Sequence, residues 1–567
     1  MARIRKIEIE NFRGIQKLEW VPQPGVNCLI GPGDSGKSTV LEAIDWCLGA
    51  RRTVSVTDAD FYQLNTDNSI RIEIVIGDLH NGLKDLENYG LYLRGYSQDG
   101  RIEDEPAADL ENVLSVRLLI REDLDPNWNL VSERAEVQGL SRNLSWKDRI
   151  RIAPIRIGSY AHRHLGWQKG SILDHLSNEK VDASSQLAKA VRGARAGFGN
   201  SADEQLEEIL SFIADKAHAL GVPVGNEVHA MLDVHSISFS SGIISLHNSD
   251  GIPLRNLGLG SSRLLVAGLQ SKAAKSASIA LVDEVEMGLE PHRITKFLTA
   301  LGSKSEKTDF QVFMTTHSPA VLRELAARQL YVVRTRDIHD ITPAGDGDNI
   351  QGTLRSAPEA FLGKSVLVCE GATEVGLIRG IDIYREEKGL LTFNAAGGVC
   401  VNAGGVSKIY QKAKPFSRLG YSTATLRDDD EQPKKADEHS FESSQGTVFK
   451  WSDGRAFEDE LFICVSDYAV RELCKLAMEI HGADKVPHHL ASECGSSIDI
   501  DTWLEDINGN KRIKIAKAAK SGKWFKSISH MEQAARDIVA PDLPNARETL
   551  RSIVIDIYDW VGIEWEI

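Results

Sequence analysis

The chain has 567 residues, 42% of them hydrophobic and 26% charged, a composition typical of a folded protein with about two to four domains. No apolar run reaches the roughly 20 residues that a membrane-spanning helix needs, and the residues after Met1 lack a signal-peptide core. The seven cysteines form no C-x-x-C pair, which disfavours a disulfide framework or a zinc site and predicts a cytoplasmic protein without a membrane partner. The net charge of −15 disfavours a uniformly basic surface but leaves room for a local basic patch.

The first elements alternate between strands and helices. Residues 3–10 alternate with period two, as a half-buried strand does, and Val26–Ile30 is a short apolar strand before a glycine-rich turn. An amphipathic helix is predicted at residues 38–48 and another alternating strand at residues 70–76. The polar, helical pattern from about residue 160 to residue 235 is interpreted as a helical insertion.

Strand signals return after the insertion, at residues 237–246, Ile279–Val282 and 310–314, with a helix beginning near Ser262. Such alternation is typical of an α/β protein with a largely parallel, helix-covered sheet. A turn-rich link is predicted at residues 341–348. The alternation of strands and helices then restarts with Ser365–Cys369, which indicates a second domain.

A nucleotide-binding loop is predicted at residues 31–38, because Gly-Pro-Gly-Asp-Ser-Gly-Lys-Ser fits G-x-x-x-x-G-K-[ST] between a strand and a helix. In such a loop the backbone N–H groups and the lysine hold the phosphates, and the final hydroxyl binds Mg²⁺. A glycine turn that only caps a helix is the alternative. The residues predicted to bind ATP are Gly31, Gly33, Asp34, Ser35, Gly36, Lys37, Ser38 and Thr39.

Two carboxylates, Asp283 and Glu284, follow the apolar strand Ile279–Val282. In a nucleotide site Asp283 would hold Mg²⁺ through water, and Glu284 would orient or deprotonate the attacking water. The alternative is that the two acids only cap the next helix.

The segment Thr-Thr-His-Ser-Pro at residues 315–319 resembles the H-loop of ABC ATPases, which implies that His317 contacts the γ-phosphate. Residues 256–265 resemble a degenerate ABC signature motif. In that family the motif, here with Gly260 and Ser261, closes over the nucleotide bound to a second head.

Residues 288–291 match the position of the D-loop, and residues 9–14 are similar to the start of SMC and RecF-like heads. The order of the motifs agrees with an ABC head across residues 1–335. The resemblance implies that ATP lies between two copies, so a homodimer or higher homo-oligomer through the ATPase heads is expected.

A second acidic site is predicted after two further strands. Glu370 ends the strand Ser365–Cys369 and Glu374 opens the next helix, while Asp428 and Asp430 follow another apolar segment. The carboxyl ends of parallel strands meet at one edge, so these acids can converge. Converging carboxylates need a cation, and their hard oxygen ligands suit Mg²⁺ or Mn²⁺. The alternative is an acidic turn on a solvated face.

The pattern Glu-Gly-x-Thr-Glu at residues 370–374, then a glycine turn at 402–405 and Asp-x-Asp at 428–430, resembles the TOPRIM domain. An ABC head followed by TOPRIM is the architecture of the OLD (overcoming lysogenization defect) nuclease family, which includes the Gabija nuclease of phage defence. The resemblance implies an ABC head at residues 1–345 that contains the insertion. It also implies a Rossmann-like TOPRIM nuclease domain at residues 346–567 with basic and helical C-terminal elements.

The same resemblance implies a two-metal nuclease, in which Glu370 and Asp428 bind one ion while Asp430 and a later acid bind another. Two such ions activate a water and stabilise the leaving oxygen of a phosphodiester. A late lysine supports the charge of the transition state, and Lys523 is preferred over Lys526. The residues expected to bind metal are Glu370, Glu374, Asp428, Asp430, Glu458 and, as the alternative later acid, Glu460.

Residues 511–526 contain seven basic side chains and no acidic one. We expect phosphate contacts with DNA along this run, which add affinity but little sequence information. A solvated basic helix is the alternative. Residues 162–164, His-Arg-His, are interpreted as a surface or dimer contact rather than a metal pair.

Taken with the resemblance, the sequence predicts an ATP-hydrolysing, divalent-metal-dependent DNA endonuclease of antiphage defence, with an accessory defence protein as a further partner. The competing hypothesis is a RecF-like repair or recombination ATPase whose TOPRIM fold binds DNA without cutting it. The complete set of acids favours the nuclease, because binding alone does not require them. A topoisomerase is disfavoured, because no sequence context marks a nucleophilic tyrosine domain.

Overall fold

The computed structural model describes residues 2–97, 99–165, 171–176, 246–249, 251–273, 278–305, 310–335, 338–496 and 498–565, with five isolated positions between 189 and 211. The predicted strand at residues 237–246 and most of the predicted insertion lie outside these residues. Strands and helices alternate through the described chain, and the predicted α/β fold class is confirmed. No helix in the described ranges is long and apolar enough to cross a bilayer.

The strands are numbered in chain order. They are β1 Arg3–Phe12, β2 Ile15–Trp20, β3 Val26–Ile30, β4 Ile70–Gly77, β5 Arg94–Tyr96, β6 Ile102–Glu103, β7 Glu111–Ile120, β8 Pro126–Val131, β9 Ile155–Arg156, β10 Ile279–Val282, β11 Gln311–Thr315, β12 Leu330–Thr335, β13 His339–Pro343, β14 Ser365–Cys369, β15 Gly398–Asn402, β16 Ser422–Arg427 and β17 Thr447–Lys450.

The α-helices are numbered in the same way. They are α1 Lys37–Leu48, α2 Leu86–Tyr89, α3 Glu133–Val137, α4 Trp146–Ile152, α5 Ile172–Leu176, α6 Leu259–Ala273, α7 Pro291–Ala300, α8 Pro319–Glu324, α9 Asp348–Ser356, α10 Ala372–Glu387, α11 Val406–Arg418, α12 Lys435–Ser443, α13 Phe457–Cys464, α14 Asp467–His481, α15 Lys485–Cys494, α16 Ile500–Trp503, α17 Gly509–Gly522, α18 Ile528–Ala534, α19 Ala540–Asp542 and α20 Glu548–Trp560.

The N-terminal strands form an antiparallel sheet in the order β2-β1-β4-β7-β5-β6, with β8 paired to β7. Strand β1 buries Ile4, Ile7 and Ile9 on one face, which agrees with its predicted period of two. Alternation of this kind suits an antiparallel sheet with one covered face, whereas parallel strands are buried on both faces. The strands at residues 3–10 and 70–76 therefore belong to a sheet separate from the predicted parallel one.

The second sheet has the order β13-β12-β3-β11-β10-β9 and is parallel except for β13. Every residue of β3, β10 and β11 is buried, as expected for the centre of a helix-covered sheet. Their carboxyl ends lead into the glycine-rich loop, the two acids and the His-Ser-Pro segment, so the sheet brings these motifs to one edge. Part of the link predicted at 341–348 is strand, because Ile341 pairs with Val333 of β12.

The third sheet is parallel, in the order β15-β14-β16-β17. Cys369 at the end of β14 pairs with Leu426 near the end of β16, so the residues that follow both strands emerge side by side. One continuous apolar core includes Val26 of the second sheet and Val366 of the third. A separate core lies between the third sheet and the C-terminal helices.

Helices α10 and α18 cross with almost no space between their backbones. A methyl group added at Gly376 would lie 2.6 Å from the Ile528 carbonyl oxygen, and one at Gly380 would lie 2.5 Å from Cβ of Ala535. Only glycine allows this approach. The two glycines therefore fix the distance between the helix that contains Glu374 and the helix that follows Lys526.

Candidate nucleotide and metal sites

The glycine-rich loop is closed around its own lysine. The Lys37 side chain is 4% exposed, and its ammonium donates to the carbonyl oxygens of Pro32 at 2.6 Å and Gly31 at 3.2 Å and to Ser35 Oγ at 3.2 Å. Burial lowers the pKa of Lys37 to about 8, although Asp34 and Asp283 oppose the shift. Phosphate oxygens would replace the carbonyl partners and restore the ammonium to its usual pKa.

Asp283 joins the three motifs at the edge of the second sheet. Its Oδ1 atom accepts hydrogen bonds from Ser38 Oγ at 2.9 Å and from Thr315 Oγ1 at 2.6 Å. Thr315 Oγ1 in turn accepts the backbone N–H of Glu284 at 2.9 Å, and Glu284 has a left-handed backbone with φ of 47°. The structure therefore brings Ser38 and Asp283, the two residues predicted to hold Mg²⁺, into direct contact.

Glu286 is a residue of this site that the sequence analysis missed. Its carboxylate accepts the Thr316 hydroxyl at 2.7 Å and the backbone N–H of His317 at 2.8 Å. The His317 side chain remains exposed. Glu286 thus fixes the backbone from which His317 projects, and its position two residues after Glu284 was the available sequence signal.

Arg263 is a second missed residue, and it ties the helix after the signature-like segment to the two acids. Its buried guanidinium donates to the carbonyl oxygens of Asp283 at 3.2 Å, Glu284 at 3.1 Å and Met287 at 2.5 Å. Burial lowers the pKa of Arg263 to about 10, against the pull of the nearby acids.

The signature-like residues pack on the loop after the two acids. Arg293 donates to Ser261 Oγ at 3.1 Å, and Gly260 approaches the Gly288 carbonyl too closely for any side chain at position 260. The segments resembling the signature motif and the D-loop are therefore packed directly against each other.

The second set of acids begins with Glu370 and Asp428, which follow neighbouring strands. The backbone N–H of Asp428 donates to Glu370 Oε2 at 3.0 Å, and the N–H of Phe457, at the start of α13, donates to Asp428 Oδ1 at 2.9 Å. Glu374, in the first turn of α10, accepts the N–H of Gly371 at 2.8 Å and is buried. Strand register and two helix N-termini thus gather these side chains.

The gathered carboxylates hold protons in the absence of a cation. Burial, followed by repulsion from Glu374, Glu370 and Glu458, raises the pKa of Asp428 to about 8, although Lys526 opposes the shift. Burial and the charge of Glu370 likewise raise the pKa of Glu374 to about 7. Burial together with the charge of Asp430 raises the pKa of Glu370. A divalent cation would reverse all three shifts.

Glu458, the preferred later acid, lies in this cluster. It is 1% exposed, and neither carboxylate oxygen receives a hydrogen bond of good geometry from the described residues. The Lys526 ammonium lies 2.7 Å from Glu458 Oε1 and forms its ion pair. Burial lowers the pKa of Lys526, but the charges of Glu458, Asp428 and Glu374 outweigh burial and raise it.

The structure places Lys526, and not the preferred Lys523, at the carboxylates. Lys523 ends α17 in a left-handed conformation with φ of 53°, and its side chain is exposed. The chain then reverses through the buried residues Trp524 and Phe525, which brings Lys526 to Glu458.

Two other predicted metal ligands have different surroundings. Glu460 is not part of the cluster, because its buried carboxylate pairs with Arg455 at 3.0 Å and accepts the Cys464 thiol at 3.2 Å. Its position two residues along α13 from Glu458 turns it to another face of the helix. Asp430 is exposed and pairs with Lys520 at 2.6 Å, although it still interacts electrostatically with Glu370.

The acids are neighbours, yet they do not converge on one point. Among the described residues, no three histidine, cysteine or acidic side chains lie close enough together to hold a metal ion as they stand. Their chemistry nevertheless fits a hard divalent cation, because carboxylates with raised pKa values lie close to the buried Glu458. Small side-chain rotations would be needed to complete a coordination shell.

Comparison with known proteins addresses the first site. Residues 26–323 match the protein family described as "AAA domain, putative AbiEii toxin, Type IV TA system". The chain belongs to this family. The matched segment of this AAA-domain chain contains the glycine-rich loop, Asp283, Glu284 and His317, and it confirms an ATPase-type domain.

Curated relatives extend the comparison at low identity. The chain is 22% identical over 335 residues to an OLD nuclease of Thermus scotoductus, covering 56% of this chain and 59% of that protein. The chain thus spans about three fifths of that relative, which is consistent with the resemblance drawn from the sequence. It is also 23% identical over 360 residues to the DNA replication and repair protein RecF of Shewanella baltica, covering 56% of this chain and 93% of RecF.

Among solved structures, the SMC head domain of Thermotoga maritima is similar to this chain at 16% identity and a TM-score of 0.29, covering 60% of this chain and 98% of that one.

Proposed function

We propose that this AAA-domain chain binds and hydrolyses ATP and cleaves DNA phosphodiester bonds with divalent cations, Mg²⁺ or Mn²⁺, by a two-metal mechanism. The observation that carries the proposal is the cluster of half-buried Glu370 and Asp428 with buried Glu374 and Glu458, beside the Lys526 ammonium. The carboxylates suit divalent cations, and the lysine suits a phosphate. We assign residues 1–345, with the insertion at about 160–235, to an ABC-type head and residues 346–567 to a TOPRIM nuclease domain.

In the proposed ATPase reaction, the loop N–H groups and Lys37 bind the phosphates, and Ser38 and Asp283 hold Mg²⁺. Glu284 accepts the proton of the attacking water, and His317 approaches the γ-phosphate. Gly260 and Ser261 of a second copy would cover the nucleotide, so the active form is a homodimer or a higher homo-oligomer.

In the proposed nuclease reaction, Glu370, Glu374, Asp428, Asp430 and Glu458 are the ligands of the divalent cations. When bound, the cations lower the pKa of water and neutralise charge on the phosphodiester. Lys526 already faces Glu458 and would stabilise the negative charge that develops on the phosphate oxygens. Lys520 would leave Asp430 for the DNA backbone when that carboxylate takes a cation.

The basic run suits a DNA path beside this cluster. Lys517 and Lys520 are exposed and lie three residues apart in α17, so they lie along one side of the helix. Arg512 serves the fold instead, since its buried guanidinium donates to the carbonyl oxygens of Phe462 and Val465.

The experiment that tests the proposal is incubation of supercoiled plasmid with Mg²⁺ or Mn²⁺, with and without ATP. Wild type is expected to nick or cut the plasmid, and Glu370→Ala and Asp428→Ala are expected to leave it intact while they still hydrolyse ATP. Wild-type protein that leaves the plasmid intact in either metal would contradict the nuclease.

The RecF similarity supports a second candidate, a repair ATPase that binds DNA without cutting it. Under that function, wild type would retard DNA in a gel without cleaving it, and Asp428→Ala would bind like wild type. Relaxed but uncut plasmid would instead indicate a topoisomerase.

Antiphage defence is the biological setting that we propose, with an accessory defence protein as a further partner. The support is the resemblance to the OLD nuclease. Cells that express the wild-type chain with its neighbouring genes should show reduced phage plating, and Lys37→Ala or Asp428→Ala should restore plating. Equal plating with wild type and both variants would contradict the role.

A further inference from the structure

Asp429 lies between two proposed metal ligands, but its side chain is used differently from theirs. It is 7% exposed, and both carboxylate oxygens already have partners. Oδ2 accepts the N–H of Gly454 at 2.9 Å, and Oδ1 lies 3.2 Å from Arg427 Nη1 and 3.4 Å from Lys450 Nζ. Both oxygens of Asp429 are thus engaged in contacts within the fold.

These contacts join two segments that are distant in sequence. The N–H of Asp429 donates to the Arg455 carbonyl at 2.9 Å, next to the Gly454 contact. The same turn leads directly into α13, whose first N–H, from Phe457, donates to Asp428 Oδ1. Glu458 is the next residue. Asp429 therefore connects the loop that contains Asp428 to the turn that precedes Glu458. We call this set of Asp429 contacts the joint.

Arg427 strengthens the joint from the strand side. Its side chain is 2% exposed and donates to the Asp428 carbonyl at 2.8 Å and to both Glu438 oxygens at 3.3 Å. A buried ion pair is costly to form and adds little net stability, so its best-attested use is to specify one arrangement. Here the arrangement is the path of the chain through Asp428.

We propose that Asp429 is a positioning residue that sets the separation between the Asp428 and Glu458 carboxylates, and hence the affinity of the cluster for divalent cations. The inference rests on the proposed function, because it takes those carboxylates as the cation ligands. Changes in groups that orient metal ligands typically weaken metal binding by about 10–100-fold. We expect a loss of that size when the joint is broken.

The test is calorimetric titration of Mn²⁺ into the full chain without DNA. Asp429→Asn removes the charge that holds Arg427 and Lys450, and Asp429→Glu keeps the charge but lengthens the side chain. Both variants are expected to bind Mn²⁺ about 10–100-fold more weakly than wild type. Their ATP hydrolysis should match wild type and thereby show that the chain is folded.

The matched control is Asp453→Asn, which removes a nearby charge from a side chain that is 96% exposed and pairs with Lys450. It should bind Mn²⁺ like wild type. Wild-type affinity in either Asp429 variant would overturn the positioning role. In Asp429→Glu it would mean that the charge of the side chain, and not its position, determines Mn²⁺ affinity. In Asp429→Asn it would mean that the contacts of Asp429 do not affect Mn²⁺ binding. If wild type itself binds no Mn²⁺, the proposed nuclease function fails as well, so the two failures are distinguishable.

Discussion

At the nucleotide loop, the Lys37 ammonium is surrounded by neutral acceptors, whereas at the proposed nuclease site several carboxylates lie close together. Lys37 is held by loop carbonyls and its pKa is lowered, while Asp428 and Glu374 are held among carboxylates and their pKa values are raised. Each site is thus built around the charge that its ligand would neutralise. The nucleotide loop suits an anionic phosphate, and the carboxylate cluster suits a divalent cation.

The residues around the two sites also have different roles. Around the nucleotide loop, Thr315, Glu286 and Arg263 orient backbone and acids through hydrogen bonds. Around the carboxylates, Lys520 and Lys526 form ion pairs with Asp430 and Glu458. The first set should stay in place when ligand binds, and the second set should be free to exchange partners.

The largest effect is expected for Asp428→Ala. Because it removes a proposed cation ligand at the centre of the cluster, plasmid cleavage should fall by more than about 100-fold, beyond the loss typical of residues that only orient ligands. ATP hydrolysis should remain. Equal loss of both activities would show that the two sites are not separate units.

Glu284→Gln tests the nucleotide site separately from the carboxylate cluster. The amide cannot accept the proton of the attacking water, so ATP hydrolysis should fall by about 10²–10⁴-fold while ATP binding persists. Single-turnover hydrolysis and a nucleotide-binding titration would measure the two effects. Normal hydrolysis would remove Glu284 from the proposed mechanism.

Lys526→Ala should lower cleavage by about 10²–10³-fold, the usual loss when one stabilising donor is removed from a transition state. Lys523→Ala is the matched control and should stay close to wild type, because the structure places Lys526, and not Lys523, beside Glu458. Cleavage rates with saturating Mn²⁺ would decide between them. A larger loss in the Lys523 variant would reinstate the sequence-based preference.

The smallest expected effect concerns pH. Asp428 and Glu374 have folded-state pKa values raised to about 8 and 7, so the stability they contribute is present below their unfolded values near 4 and is lost as pH rises through 7 to 8. Metal must displace the same protons, so Mn²⁺ affinity should increase up to about tenfold per pH unit between about pH 6 and pH 8. Calorimetry at several pH values would measure it, and Asp428→Asn should flatten the profile.

The nucleotide site could be predicted because its residues form short motifs at the ends of apolar strands. Residues 31–38 and Asp283 follow fully buried strands and Thr315 ends another, and parallel pairing brings them together. The orienting residues Arg263 and Glu286 were missed, because their roles depend on contacts across elements that no local pattern indicates.

The second site was predictable only where strand order decides the geometry. Glu370 and Asp428 follow paired strands, so their proximity could be expected. The distinction between Glu458 and Glu460 depends on helix phase, and that between Lys526 and Lys523 depends on a left-handed helix end. Neither feature is marked by residue type. The opposite roles of Asp428 and Asp429 were likewise hidden in a run of identical residues.

The crossing of α10 and α18 has a practical consequence. Glu374 lies two residues before Gly376 in α10, and Lys526 lies just before α18, so the contact of the two helices sets how far the lysine stands from the acids. Replacing Gly376 with alanine and then serine would wedge the helices apart in small steps without altering a single charge. The packing of α10 against α18 thus sets the distance between Lys526 and the carboxylates, and with it the strength of their ion pair.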